Sequence, residues 1–121
     1  MKIAVTSQNK REITEHAGKC RKFWVYEVDK GKIENKHLLE LSLEQSLHES
    51  PLDKSHPLEN VQILITGGIG AGLQQRLTRR GMKTIVTSEK EPDRAILAYL
   101  AGTLERLSPR HFLHHDERVM S

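Results

Sequence analysis

Val61-Gln62-Ile63-Leu64-Ile65-Thr66-Gly67-Gly68-Ile69-Gly70-Ala71-Gly72 is the stretch that decides the fold. Its first half is a nearly continuous apolar run of β-branched and aliphatic residues, as expected of a strand buried on both faces. Its second half carries Gly67, Gly68, Gly70 and Gly72 and leads into a segment with Leu73 and Leu77 at helical spacing. A buried strand, a glycine loop and a helix in that order predict a parallel sheet with a helical crossover.

Working outward, residues 73–80 continue as a helix that Gly81 ends as a C-cap. Residues 82–87 form the last strand, and Glu91-Pro92 opens a second helix, proline being tolerated in a first turn. Ile96, Tyr99, Leu100, Leu104 and Leu107 make one helical stripe, which Pro109 stops. Toward the N-terminus, residues 2–6 and 22–28 read as strands. In the second, Phe23 and Val25 face one way while Trp24, Tyr26 and Val28 face the other. Asp29-Lys30-Gly31 is a hairpin turn, and residues 32–41 return as the partner strand, with Ile33, Leu39 and Leu41 on one face. Residues 7–19 are a polar loop. Residues 42–60 are a long loop with a helical turn or two. Ser42-x-x-Gln45 offers a capping box, but Pro51 and Pro57 interrupt any longer helix. The predicted order, β-β-β-loop-β-α-β-α, is an α/β mixed sheet with flanking helices, within one domain over residues 1–107. Residues 108–121 read as a mobile tail.

The composition suits a globular chain of 121 residues: 36% hydrophobic, 29% charged, net charge +3 with histidine neutral. Cys20 is the single cysteine, so no intrachain disulfide can form. No apolar run approaches the roughly 18 residues of a membrane span. The start MKIAVTSQ has no signal-peptide hydrophobic region. A cytoplasmic protein without membrane contact is expected. The sparse aromatics, Phe23, Trp24, Tyr26, Tyr99 and Phe112, provide no stacking platform for single-stranded nucleic acid.

Two segments carry chemistry. The loop at 67–72 lies where backbone amides at a helix N-terminus can hold an anion. It is not a phosphate-binding P-loop, because Leu73 and Gln74 stand where Lys and Ser or Thr would follow Gly72. It is not a dinucleotide fingerprint either, because Leu73 occupies the third glycine position. The loop serves as a tight turn or as a ligand-contacting loop. In the second segment, Glu15-His16-Ala17-Gly18-Lys19-Cys20, an imidazole and the only thiol stand four residues apart. Both are ligands for borderline or soft metals. Two ligands cannot close a tetrahedral site, but they can hold one corner of a preformed cluster. Lys10, Arg11, Lys19, Arg21 and Lys22 lie close by in sequence; basic neighbours favour the thiolate and attract an anionic cluster. The alternative is a surface loop with an incidental histidine and a half-buried cysteine.

Together these segments carry a resemblance. The pattern MKIAV, then EHxGxCxxFxVYxV, then ILITGGIGAGxxxL and a closing AIxAYLxGxL, is similar to the dinitrogenase iron–molybdenum cofactor biosynthesis family, which includes the NifX and NafY carriers and a domain fused to NifB. The resemblance covers most of residues 1–107. It implies an RNase H-like fold with a five-stranded mixed sheet whose first and fourth strands are neighbours. The loops after Thr6 and Thr66 would then share one rim, where ligands bind in open α/β sheets. It also implies a non-enzymatic carrier of an iron–sulfur or iron–molybdenum cluster or precursor, with a cofactor-assembly protein as partner. The implied binding residues are His16, Gly18, Cys20, Gly67, Gly68 and Gly70, with His16 and Cys20 as metal ligands. Ala17 stands where the family carries phenylalanine, and residues 42–60 lack its usual helix and the histidine-rich run of some members.

Other readings remain beside it. The glycine loop alone could serve a small-anion or nucleotide-binding regulatory module. Arg76, Arg79 and Arg80 form a solvated helix face or a docking patch for an acidic partner. His111, His114 and His115 with Asp116 make a histidine-rich tail of the kind that binds metal. Nuclease chemistry on an RNase H-like fold needs clustered carboxylates, and neither residues 2–6 nor 61–66 contain Asp or Glu.

Overall fold

The computed structural model describes residues 1–107 except 51, 53 and 54. Strands β1 (Lys2–Thr6), β2 (Lys22–Asp29), β3 (Lys32–Glu40), β4 (Ile63–Thr66) and β5 (Lys83–Val86) form one sheet in the order β3-β2-β1-β4-β5. β1 pairs antiparallel with β2 and parallel with β4; β4 pairs parallel with β5. This is the mixed five-stranded α/β sheet, with β1 and β4 adjacent, that the family resemblance implies.

Helix α1 (Ala71–Arg79) and the described residues of 42–60 cover one face of the sheet, and helix α2 (Pro92–Ala101) covers the other. Leu64, Phe23, Val25, Leu77 and Met82 belong to the first core; Ile63, Ile65, Tyr26, Val28, Ala95 and Ile96 belong to the second. Alternation along β2 and β4 therefore feeds both cores, as two-sided burial demands. The β2–β3 turn, Lys30-Gly31, has positive φ at both residues (52° and 77°), the geometry whose twist matches flanking strands.

Two expectations are corrected. Ile33 does not share a face with Leu39. The pairing steps from Glu27↔Asn35 to Val28↔Ile33, leaving Glu34 as an extra residue, a β-bulge. The bulge reverses the parity of β3, so Ile33 packs with Val28 and Tyr26 while Leu39 packs with Phe23 and Val25. The last helix also ends at Ala101 rather than near Leu107. Gly102 is left-handed (φ 76°); its N–H donates to Tyr99 O at 3.1 Å and Thr103 N–H to Ala98 O at 2.8 Å. That is a complete Schellman stop. Leu104 still packs on the same core, and Leu107 forms an antiparallel bridge to Val86, its N–H 2.6 Å from Val86 O. The stop after α1 follows the same chemistry at Gly81 (φ 89°), with Met82 N–H on Leu77 O and Gly81 N–H on Thr78 O, each at 3.0 Å.

Among the described residues of 42–60 the one helical element is a 3₁₀ turn (Leu43–Gln45), preceded by Ser42, whose N–H donates to Gln45 Oε1 at 3.0 Å. The segment is nonetheless a packed layer. Leu47 and Leu58 are buried in the first core. His56 is buried too, with Nδ1 accepting from Leu58 N–H at 3.0 Å and Nε2 2.6 Å from Gln45 O. Since Nδ1 accepts, the proton sits on Nε2 and donates to Gln45 O.

If this layer is part of the core, Leu58→Ala costs about 2–5 kcal/mol in urea unfolding. The neighbouring Leu43→Ala, at a residue 61% exposed, stays within about 0.5 kcal/mol of the wild type.

Candidate functional site

β1 and β4 are parallel neighbours, so both end at one rim, and both end in threonine immediately before a loop. The buried hydroxyls of Thr6 and Thr66 lie 2.9 Å apart. The Thr6 hydroxyl donates to Thr14 O at 2.7 Å, and the Thr66 hydroxyl donates to Gly68 O at 3.1 Å. Backbone bonds complete the seam: Thr14 N–H to Thr6 O (2.9 Å), Gly67 N–H to Thr14 O (3.0 Å) and Ala17 N–H to Gly68 O (3.1 Å). The loop after β1 is thus stitched to the glycine loop. A Cβ on Gly67 would stand 3.2 Å from Glu15 Cγ and 3.3 Å from Thr14 O, and one on Gly68 would stand 3.3 Å from Glu15 Cβ. Side chains at either position would push the two loops apart.

The stitching brings His16 to the glycine loop. His16 adopts a left-handed backbone (φ 60°), and its carbonyl accepts from Lys19 and Cys20 N–H at 3.0 and 3.1 Å. A tight turn results, with the imidazole exposed. The side chain stands between two recesses. The smaller, about 230 Å³, is lined by Glu15, His16, Gly68, Ile69 and Gly70. The larger, about 560 Å³, is lined by Glu15, His16, Lys19, Cys20 and Lys90, among others. Lys90 comes from the loop before α2, whose position is fixed where Ile13 N–H donates to Lys90 O at 2.8 Å. Gly70 is the N-cap of α1 and brings no side chain to the first-turn amides; no acidic residue lies in that turn. These amides and the helix dipole present partial positive charge.

Gly18 lies behind His16, its carbonyl accepting from His48 N–H at 2.8 Å. Ala17 is fully buried in the first core. Cys20 is buried as well, its thiol donating to Lys22 O at 3.0 Å. Burial pushes its pKa up, and this outweighs the hydrogen bonds and the Lys22 charge that pull the other way. The basic neighbours therefore do not make Cys20 a ready thiolate.

Arg76, Arg79 and Arg80 are all exposed, but two of them are engaged. Arg76 donates to Leu47 O at 2.6 Å and Arg80 to Leu52 O, so both hold the middle layer against α1. Arg79 is exposed. His111, His114, His115 and Asp116 lie outside the described residues. Among the described residues, no three His, Cys, Asp or Glu side chains gather closely enough to hold a metal ion, and no helix is long and apolar enough to cross a membrane. The donor set, one exposed imidazole beside a carboxylate, two lysines and uncapped amides, suits a preformed anionic group offering an open metal position better than a bare ion. Thr6, Thr14, Thr66, Glu15 and Lys90 were not singled out by sequence. The available signal was the threonine ending each of two strands predicted to be neighbours.

A family model described as dinitrogenase iron–molybdenum cofactor matches residues 1–102. The uncharacterized protein MJ0580 of Methanocaldococcus jannaschii is 28% identical over 108 residues, which are 88% of this chain and 91% of that protein. Among solved structures, the crystal structure of PH0822 superposes with a TM-score of 0.72 at 19% identity, covering 88% of this chain and 94% of the other. The apo form of the orange protein from Desulfovibrio gigas gives 0.62 at 22%, covering 88% and 92%. At these identities the two structures speak to the fold.

Replacing Thr66 by Val removes the hydroxyl from the seam and is expected to cost about 1–3 kcal/mol of stability in denaturant unfolding, with faster amide exchange in the 14–17 and 67–70 segments. Alkylation of Cys20 by iodoacetamide proceeds through the thiolate. Because burial raises its pKa, the rate-against-pH curve of the folded protein is expected at higher pH than that of the urea-unfolded chain. A curve at lower pH would contradict the described environment.

Proposed function

The chain belongs to the dinitrogenase iron–molybdenum cofactor family, and from that premise we propose that it binds and carries an iron–sulfur or iron–molybdenum cluster, or a precursor, without catalysing a reaction. The observation that carries this reading is the meeting of the exposed His16 imidazole with the uncapped N-terminus of α1 around one pair of recesses. Such a cluster is cargo. It would arrive with its own inorganic ligands and need from the protein only a donor at an open metal position and an environment suited to its charge.

His16 supplies the donor through an imidazole nitrogen. Lys19 and Lys90 offset negative charge from one side, and the first-turn amides of α1 do so from the other. Gly67 and Gly68 permit the close approach that places His16 there. Gly70 keeps the amides uncovered, and Gly18 anchors the back of the turn. Cys20 would join as a ligand only by giving up its bond to Lys22 O and losing its proton. A carrier must also release its cargo to an assembly partner, and a site with few protein ligands on an open rim favours release.

Uptake can be measured by anaerobic incubation with isolated iron–molybdenum cofactor, gel filtration, and metal analysis with electron paramagnetic resonance of the protein fraction. His16→Ala is expected to reduce uptake by about tenfold or more. Equal uptake by the two proteins would remove His16 from the site, and no uptake by the wild type would end the carrier reading.

A further inference from the structure

We propose that Glu15 is the second protein ligand of the cargo, so that the cluster is held by a carboxylate–imidazole pair, Glu15 and His16, and not by a thiolate. This rests on the carrier reading and adds a residue to it.

Three observations converge on Glu15. First, among the described residues only Glu15 and His16 line both recesses. Second, its position is built into the fold. Its stem lies along Gly67 and Gly68, and its Oε1 is 3.6 Å from where a Cβ on Gly68 would be. The two glycines thus open the space that the Glu15 side chain occupies over the smaller recess. Third, its carboxylate has no hydrogen-bond or ion-pair partner among the described residues, although Lys19 and Lys90 line the same larger recess. The thiol of Cys20 is the opposite case, buried and already donating to Lys22 O.

The chemistry then selects the cargo. An imidazole and a carboxylate on adjacent residues are borderline and hard donors, the pair that suits iron. Thiophilic ions such as copper(I) prefer sulfur. The geometry therefore points to a cluster that presents iron, or a comparably hard metal, at its open position. A cluster whose open position is copper(I) would find no accessible thiolate here. Charge alone predicts the reverse effect of mutation: if Glu15 only repelled an anionic cluster, removing its charge would tighten binding.

Anaerobic titration with isolated iron–molybdenum cofactor separates these outcomes. The proteins compared are the wild type, Glu15→Gln, Glu15→Asp, Cys20→Ser, and Glu12→Gln as a control that removes one exposed carboxylate from the same loop. Glu15→Gln is expected to bind about tenfold more weakly and to change the resonance signal of the bound cluster. Glu15→Asp should recover part of the affinity, and Cys20→Ser and Glu12→Gln should remain near the wild type. Unchanged or tighter binding by Glu15→Gln overturns the proposal and leaves the carrier reading standing, as does a loss in Cys20→Ser equal to that expected for Glu15→Gln. No binding by the wild type overturns both.

Discussion

The contact between the Thr6 and Thr66 hydroxyls, 2.9 Å apart at the ends of β1 and β4, is the point on which the rest of the site depends. Parallel pairing brings two chain segments sixty residues apart to one rim, but pairing alone does not say how the loops beyond should lie. The threonines do. Each hydroxyl has one proton and two acceptor lone pairs, so the two protons serve either both outward contacts, to Thr14 O and Gly68 O, or one of these and the bond between the hydroxyls. Apolar residues of similar shape would fill the same space and leave Thr14 O and Gly68 O with their backbone N–H bonds alone. The seam sets Ala17 N–H on Gly68 O and puts His16 beside the glycine loop.

The parts of this structure legible in the sequence are those written in local patterns. The apolar run before Thr66, the two-sided alternation of Phe23 through Val28, and Gly81 after α1 each state their role within a few residues. What escaped depends on partners distant in the chain. Ile33 changes face because Glu34 has no opposite number on β2, and nothing near Glu34 announces a bulge. Gly102 ends α2 by the same Schellman geometry as Gly81. There the apolar spacing runs on through Leu104 and Leu107, which remain in contact with the core by another route. A periodic stripe reports burial, not helix, and the two separate at such an end. For the site, the convergence of His16 with Gly68 and Gly70 followed from the strand order that the family resemblance implies; the closeness of Glu15 did not, since it needs the missing side chains of Gly67 and Gly68.

Cys20 marks where charge counting from sequence fails. Basic residues flank it, and from that alone an acidic thiol follows. Folding places the sulfur in the core with Ala17 and Phe23. There the cost of a charge in a poorly polarizable surrounding exceeds what nearby cations return, since the lysines keep their heads in water. His16, one turn earlier, has the same neighbours in sequence and stays exposed. The difference between the two candidate ligands is burial, which the spacing between them could not reveal.

The walls of the larger recess owe their position to a cluster that lies outside it. Lys36 on β3 sits 4.4 Å from the centroid of the Trp24 ring and 2.7 Å from Asp93 Oδ1 in the first turn of α2; the buried Tyr26 hydroxyl donates to the same oxygen at 2.5 Å. The Lys36 and Tyr26 bonds hold Asp93 below the usual carboxylate range, while burial, and then Asp93, push the Tyr26 pKa up. Asp93 thereby fixes the start of α2 and the Lys90 loop before it. Trp24, through its indole N–H 3.3 Å from Lys10 O, holds the loop after β1. With Lys36 34% and Asp93 62% exposed, solvent screens this pair, so its worth is about 1 kcal/mol or less. Its effect is directional: one cation on an edge strand orients two loops that meet at Ile13 and Lys90. The recess is therefore a surface feature whose two walls take their positions from the β2–β3 hairpin and from the threonine seam, and each support constrains the loop that carries Glu15 and His16 from a different side.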